Sequence, residues 1–167
     1  EEIDRDVPAH GESLARVLAV VDPHDAIRLL QEVDAAGHVS ESPLDVGEVL
    51  AVGEGIETML SLRYALPAMP MAAALSANHL AALLLPSALR RLYIARDADA
   101  AGDMALAALT ERAEAAGIEA LALSPRMGDF NEDLHAFGLD ALRAALRIQL
   151  APQDGYFLQM IERLLRN

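Results

Sequence analysis

Through the middle of the chain, short apolar runs alternate with stretches of helical periodicity. Val49 to Val52 reads as a buried strand, Ile56 to Leu66 as a helix stopped by Pro67, and Met71 to Leu75 as a second strand. Next come a helix that Asn78 caps and Pro86 closes, then a third strand from Leu92 to Ala95. An Ala-rich helix from Ala100 to Ala116, ended by Gly117, leads to a fourth strand at Ile118 to Leu123. Strands separated by helices at this spacing predict βαβ units. The expected fold is therefore α/β, a Rossmann-like parallel sheet of about four strands with flanking helices. Right-handed crossovers in such a sheet collect the loops at the carboxyl ends of the strands along one edge, where sites form.

The flanks read differently. Ser13 is placed to cap a helix carrying Leu14, Val17, Leu18 and Val21, and His24-Asp25 to open another with Ile27, Leu30 and Val33. Gly37 ends that pattern, and Ser40 to Pro43 reads as a loop. His10, His24 and His38 lack metal-ligand spacing and read as surface residues. From Leu139 onward, Leu142, Leu146 and Leu150 share a helical face, and Phe157, Ile161 and Leu164 repeat the spacing. The expected organisation is an acidic helical segment at 1–47, an α/β domain at 48–134 and C-terminal helices at 135–167.

Composition narrows the chemistry. The 167 residues are 53% apolar, which excludes disorder as the main state, and the formal charge is −13. There is no Cys, so thiolate zinc sites and cysteine nucleophiles are excluded. All 13 basic residues are Arg. Without Lys there is no Walker-type phosphate loop, Schiff base or lysine general base. Residues 1–47 carry a net charge of −8, residues 48–134 of −6, and residues 135–167 of +1. A basic nucleic-acid-binding module is thereby excluded, because phosphate binding by counterion release needs cations. No secretory signal or membrane-length apolar run is visible, so the expectation is a cytoplasmic protein without membrane contact. The first residue is Glu1, and the chain is expected to be a segment of a longer protein.

Three acidic groups fall directly after predicted strands. Gly53-Glu54-Gly55 follows the first, with Glu57 one turn on; glycines on both sides permit a sharp turn and close approach of a ligand. Asp97-Ala98-Asp99, with Gly102 and Asp103, follows the third strand, and two carboxylates at i and i+2 there can face one hard cation. Gly128-Asp129-Phe130-Asn131-Glu132-Asp133 follows the fourth. Each has a plain structural reading: Asp99 as a helix cap, Asp97 as a turn cap, Asp129 and Asn131 as turn residues. Oxygen ligands gathered from several loops at one sheet edge also suit Mg²⁺ or Mn²⁺.

The strings LAVGEGIETMLSL and LYIARDADAAGDMA, in this order, resemble the Toprim domain, a module shared by bacterial-type primases, topoisomerases and some nucleases. EGIETMLS and the trailing GDFNEDL are most similar to primase-like Toprim proteins of phages, plasmids and mobile elements. The resemblance covers about residues 48–134. It implies Asp97 and Asp99 as ligands of Mg²⁺ or Mn²⁺, with Asp103 or Asp129 assisting. Glu54 becomes a general acid/base or further ligand, and Gly53, Gly55, Glu57, Gly102 and Asn131 take supporting places. Arg63, Arg96 and Arg126, together with Arg90 and Arg91, are the cations available for substrate phosphates. Nucleotides and single-stranded DNA are the implied partners, with a helicase and template-gripping domains elsewhere. The chain departs from the pattern where primases of this group often carry Lys-Asp-x-Asn-Asp: Gly128 replaces the Lys and Glu132 the second Asp.

The alternatives are a Toprim-type nuclease, a non-catalytic Toprim docking module, and a haloacid-dehalogenase-type phosphatase. The phosphatase reading uses Asp97 as nucleophile and the Gly128 to Asp133 spacing, but it needs a Lys and leaves Glu54 without a role. An EF-hand starting at Asp97 fails because its twelfth position is Ala108 rather than Glu.

Overall fold

The computed structural model describes residues 18–21, 28–30 and 47–158, the first two stretches by their backbone alone. Its centre is one six-stranded sheet. The strands are β1 (Leu18–Val21), β2 (Arg28–Leu30), β3 (Val49–Gly53), β4 (Met71–Ala73), β5 (Arg91–Ala95) and β6 (Glu119–Leu123), in the order β2-β1-β4-β3-β5-β6. The four strands β4-β3-β5-β6 run parallel, as expected. Against them β1 pairs antiparallel to β4, and β2 antiparallel to β1.

This corrects the reading of two N-terminal stretches. Leu18–Val21 and Arg28–Leu30 are strands, where helical spacing of Leu18, Val21 and Leu30 predicted helices. Apolar runs this short do not separate the two periodicities, and the open edge of β4 supplies backbone partners. Ser13, Leu14, Val17, Ile27, Val33 and the loop at Ser40 to Pro43 lie outside the described residues, as do Ile161 and Leu164.

The helices are α1 (Ile56–Ala65), α2 (Ala77–Ala81), α3 (Ala100–Ala115), α4 (Phe130–Phe137) and α5 (Leu139–Arg147), followed by a 3₁₀ helix at Pro152–Leu158. Helix α2 is capped by Ser76, whose hydroxyl accepts from the His79 N–H, and not by Asn78, which lies inside it; it also ends at Ala81, well before Pro86. Leu75 precedes this cap with φ 66, an uncommon left-handed turn for a leucine, and its N–H donates to the Glu54 carbonyl at 2.8 Å. No helix among the described residues is long and apolar enough to cross a membrane.

Alternation along β3 and β5 builds a core on each face. Ala51, Tyr93 and Ala95 point to one side and pack with Met59 and Leu62 of α1, Phe130 of α4, and Leu142 and Leu146 of α5. Leu50, Val52, Leu92 and Ile94 point to the other and pack with Leu80 of α2 and with Ala105, Leu109 and Ala113 of α3. Helix α1 thus covers one face and α2 and α3 the opposite one. Register is flush where the site lies: Gly53 stands opposite both Ala73 and Ala95, and Ala95 opposite Leu123.

A buried polar network ties the C-terminal turn to β5. The Tyr93 hydroxyl donates to Asp154 at 2.6 Å and accepts from the Ala151 N–H at 2.9 Å. Arg91 reaches Asp154 at 2.9 Å and Glu119 at 2.6 Å. Burial, reinforced by the Asp154 carboxylate, pushes the Tyr93 phenol well above its ordinary range, which favours the protonated donor. Removing that hydroxyl leaves the Ala151 N–H without a partner. Tyr93→Phe is expected to destabilise the chain by about 1–3 kcal/mol, seen as a lower urea midpoint at unchanged m-value.

Candidate functional site

Each acidic group occupies the carboxyl edge of the parallel strands. Glu54 leaves the end of β3, where Gly53 is demanded by packing: a Cβ there would stand 2.6 Å from the Met59 sulfur and 3.2 Å from the Ala95 Cβ and carbonyl oxygen. Gly55 sits at the start of α1 in extended backbone, and a Cβ there would meet only ordinary contacts. Glu57 is exposed in the first turn of α1, where it favours the helix dipole.

Asp97 follows β5 and is half-buried. Its carboxylate accepts one long hydrogen bond, 3.4 Å, from the buried Thr58 hydroxyl of α1. Burial raises its pKa, and repulsion from Glu54, Asp129 and Asp99 raises it further. Glu54, Asp99 and Asp129 are therefore the carboxylates that the fold brings within electrostatic reach of Asp97. Asp99 is the cap of α3, accepting from the Gly102 N–H at 2.7 Å, and Asp129 caps α4, accepting from the Glu132 N–H at 2.7 Å. The capping reading of Asp99 holds, whereas Asp129, read as a turn residue, caps a helix instead; each cap fixes one oxygen of its carboxylate.

The glycine of the Asp-x-Asp string has a steric reason. A Cβ on Gly102 would lie 2.3 Å from the Asp97 carbonyl oxygen and 3.1 Å from its backbone nitrogen. The first turn of α3 thus rests directly on the Asp97 backbone, and an alanine there would have to displace it, at about 1–3 kcal/mol. The neighbouring loop is joined to this one by a 2.7 Å bond from the Ala98 N–H to the Gly128 carbonyl.

Other candidates are placed differently. Asp103 turns to Arg96, with which it forms an ion pair, and Arg96 also donates to the Ser124 hydroxyl at 3.1 Å. Arg63 lies in the last turn of α1, remote from Glu54, and donates to the Met69 carbonyl at 3.2 Å. Arg126 is exposed beside the Gly128 loop, its guanidinium 5.6 Å from the Phe137 ring centroid. Asn131 accepts from the Ser61 hydroxyl at 3.3 Å, linking α4 to α1. Arg91 is committed to Glu119 and Asp154 at the opposite edge.

In the sequence, Thr58, Ser124 and Gln149 carry no visible role, and Asp133 is placed only as the last member of an acidic string. Asp133 is 2% exposed and accepts from the Arg126 and Met127 N–H groups at 2.8 and 2.9 Å, so it builds the loop that presents Asp129. Its signal was there: Phe130, Asp133, Leu134 and Phe137 have helical spacing, which marks Gly128 to Asp133 as a helix start rather than an open loop.

Among the described residues, no three His, Cys, Asp or Glu side chains are arranged to close around a metal ion. Mg²⁺ does not require this, because it keeps several waters and is held through one or two carboxylates plus substrate oxygens. The donor set fits such a cation: hard oxygens only, with Asp97 repelled by its three neighbours and held by a single long hydrogen bond.

A family model described as "Toprim domain" matches residues 49–140, more than half of the chain. No curated protein gives a significant match. Among solved structures, the primase fragment of the bacteriophage T7 primase-helicase protein is similar with a TM-score of 0.50 at 15% identity, over 80% of this chain and 61% of that one. A DNA primase domain from Pseudomonas aeruginosa gives 0.47 at 20% identity, over 81% and 46%. This chain spans less than two thirds of either.

The raised pKa of Asp97 fixes a sign. A carboxyl whose pKa is higher folded than unfolded binds its proton more tightly in the folded state. Its ionisation therefore costs stability as pH rises from the unfolded value through the raised one. Asp97→Asn is expected to raise the melting temperature of the metal-free chain at neutral pH. That advantage should shrink as pH falls toward 4, in thermal melts recorded with a chelator present.

Proposed function

The chain belongs to the Toprim domain family, and on that premise we propose that it is the Mg²⁺-dependent phosphoryl- and nucleotidyl-transfer domain of a DNA primase-like replication protein. The observation that carries this reading is the arrangement at one strand edge, where Glu54, Asp99 and Asp129 all lie close enough for their charges to act on half-buried Asp97. Asp97 and Asp99, on the loop against which Gly102 packs, are the proposed metal ligands, with Asp129 on the next loop, which the Ala98 N–H joins to theirs. A divalent cation there would offset the cluster's charge, draw in a nucleotide's phosphates and lower the pKa of an attacking hydroxyl.

Glu54, on the loop after β3, is the proposed acceptor of that hydroxyl's proton: a nucleotide 3′-OH attacks the α-phosphorus of an incoming triphosphate, and the bond to the β-phosphate breaks to release pyrophosphate. Residues 48–134 are the proposed catalytic domain. Asp103 and Arg96 enter as a pair beside it rather than as ligand and phosphate clamp, because each already occupies the other. Arg126 remains the exposed cation nearest the Asp129 loop for a phosphate. With 26 acidic residues against 13 Arg, the proposal assigns the grip on single-stranded template to other domains or subunits, and a helicase is the proposed partner, after the similar T7 primase-helicase protein.

The phosphatase alternative is disfavoured by Asp133. The second Asp of its Gly-Asp-x-x-x-Asp string is buried and spent on two backbone N–H groups, leaving no carboxylate for a ligand. The nuclease alternative uses the same carboxylates with water in place of the 3′-OH, and the assay separates the two.

Two measurements test the proposal. Isothermal titration should show Mn²⁺ and Mg²⁺ binding that the Asp97→Ala/Asp99→Ala double variant abolishes; binding equal to the parent's would refute the site. With template-gripping domains supplied, Glu54→Gln should slow nucleotide incorporation by about 10²–10⁴-fold. Strand cleavage without incorporation would favour the nuclease.

A further inference from the structure

Ser124, the first residue beyond β6, is bound on all three of its polar groups. Its N–H donates to the Gln149 side-chain oxygen at 2.7 Å, and its carbonyl accepts from the Gln149 amide nitrogen at 3.1 Å. β6 is an edge strand of the sheet, so these backbone groups have no neighbouring strand, and a single side-chain amide takes that place. The same Gln149 nitrogen also reaches the Ala145 carbonyl at 3.2 Å, which anchors it to α5. The third group, the Ser124 hydroxyl, accepts from Arg96 Nε at 3.1 Å, while the other branch of that guanidinium pairs with Asp103 in the first turn of α3. The Arg96 backbone N–H donates to the Leu123 carbonyl at 3.1 Å.

We propose that Arg96 and Gln149 are positioning residues for the metal site. Acting through Ser124, they hold the Asp97–Asp99 loop against the Gly128–Asp129 loop at the spacing the cation needs. The inference rests on the metal-site reading above and assigns Arg96 a place other than phosphate binding. Two features favour it over an ordinary surface ion pair. Arg96 adjoins Asp97 in sequence, so fixing its side chain fixes the backbone that carries the carboxylate. The chain of contacts also runs from α5 to α3 across the exit of both acidic loops, which one exposed pair with Asp103 would not do. Such a pair alone would contribute little.

Electrostatics gives the test a sign that separates positioning from charge. Removing Arg96 removes a positive charge beside a cation site, and Gln149→Glu adds a negative one. By Coulomb attraction alone, both changes would tighten Mn²⁺ binding. If the residues position the loops, both weaken it instead.

The experiment is isothermal titration of the whole chain with Mn²⁺ alone, well below the melting temperature. It uses the parent, Arg96→Ala, Gln149→Ala, Gln149→Glu and the Arg96→Ala/Gln149→Ala double variant, each checked for folding by circular dichroism. Expected is a loss of about 10–100-fold in affinity for each single variant, the range seen when partners of metal ligands are removed. The double variant should lose little more than the larger single one, because both act through one chain of contacts. Unchanged or tighter Mn²⁺ binding by the folded Arg96 and Gln149 variants overturns the inference while the metal site stands. Additive losses in the double variant overturn it as well. Absence of Mn²⁺ binding by the parent overturns the metal-site reading and this inference together. Should Arg96→Ala not fold, Arg96→Gln and Gln149→Glu answer the same question.

Discussion

Right-handed crossovers place each connecting helix on a face set by the side on which the next parallel strand is added. Here β4 is added to one side of β3 and β5 to the other, so α1 covers one face and α2 the opposite one. The loops leaving β3 and β5 therefore diverge from adjacent strand ends, at the reversal point where α/β sheets open a crevice. Flush register completes the arrangement. With Gly53, Ala95 and Leu123 level across three strands, Glu54, Asp97 and the Asp129 loop emerge side by side. The chemistry of the edge depends on that reversal, because without it both connections would turn onto the same face and no crevice would open between Glu54 and Asp97.

Close packing then turns topology into geometry. Neither Gly53 nor Gly102 is needed for an unusual dihedral; both are needed because another part of the chain occupies the space of a side chain. At Gly53 that neighbour is Met59 together with Ala95, and at Gly102 it is the Asp97 backbone. The three-residue spacing from Asp99 to Gly102 is also the spacing of a capping hydrogen bond, so one turn of α3 serves two ends. It satisfies an orphan N–H, and it presses the helix onto the loop that carries the carboxylates.

Much of this was legible in the sequence where local patterns were long. The apolar runs of β3 and β5, the Ala-rich α3 and the acidic strings at strand ends all announce themselves within a few residues. What escaped depends on partners far along the chain. β1 and β2 are too short to carry a period, and they become strands because β4 leaves an edge to pair. Ser76 rather than Asn78 caps α2 because Leu75 turns the backbone there, a feature no propensity indicates. Asp133 reads as one more acid of the strand-end string until α4 is recognised, and the Gln149–Ser124 pairing joins positions 25 residues apart. The charge of −13 misleads in the same way, since its bearing on nucleic acid depends on where the acids are held.

Three carboxylates show how the fold sorts structural acids from available ones. Asp154 is 3% exposed and held by Arg91 and the Tyr93 hydroxyl; Asp133 is 2% exposed and held by two backbone N–H groups. Both are charges whose burial is matched by good donors, as a stable core requires. Asp97 is half-buried with one long bond from Thr58, and its neighbours are other carboxylates. Burial without matching donors is a local cost that folding alone gives no reason to keep, and such costs gather where function needs them. The amino edge, closed by the Tyr93–Asp154–Arg91 network, and the hydrogen-bonded loop around Asp133 supply the rigidity. That rigidity lets Asp97 stay under-compensated without the loop collapsing, which is the condition the proposed cation site requires.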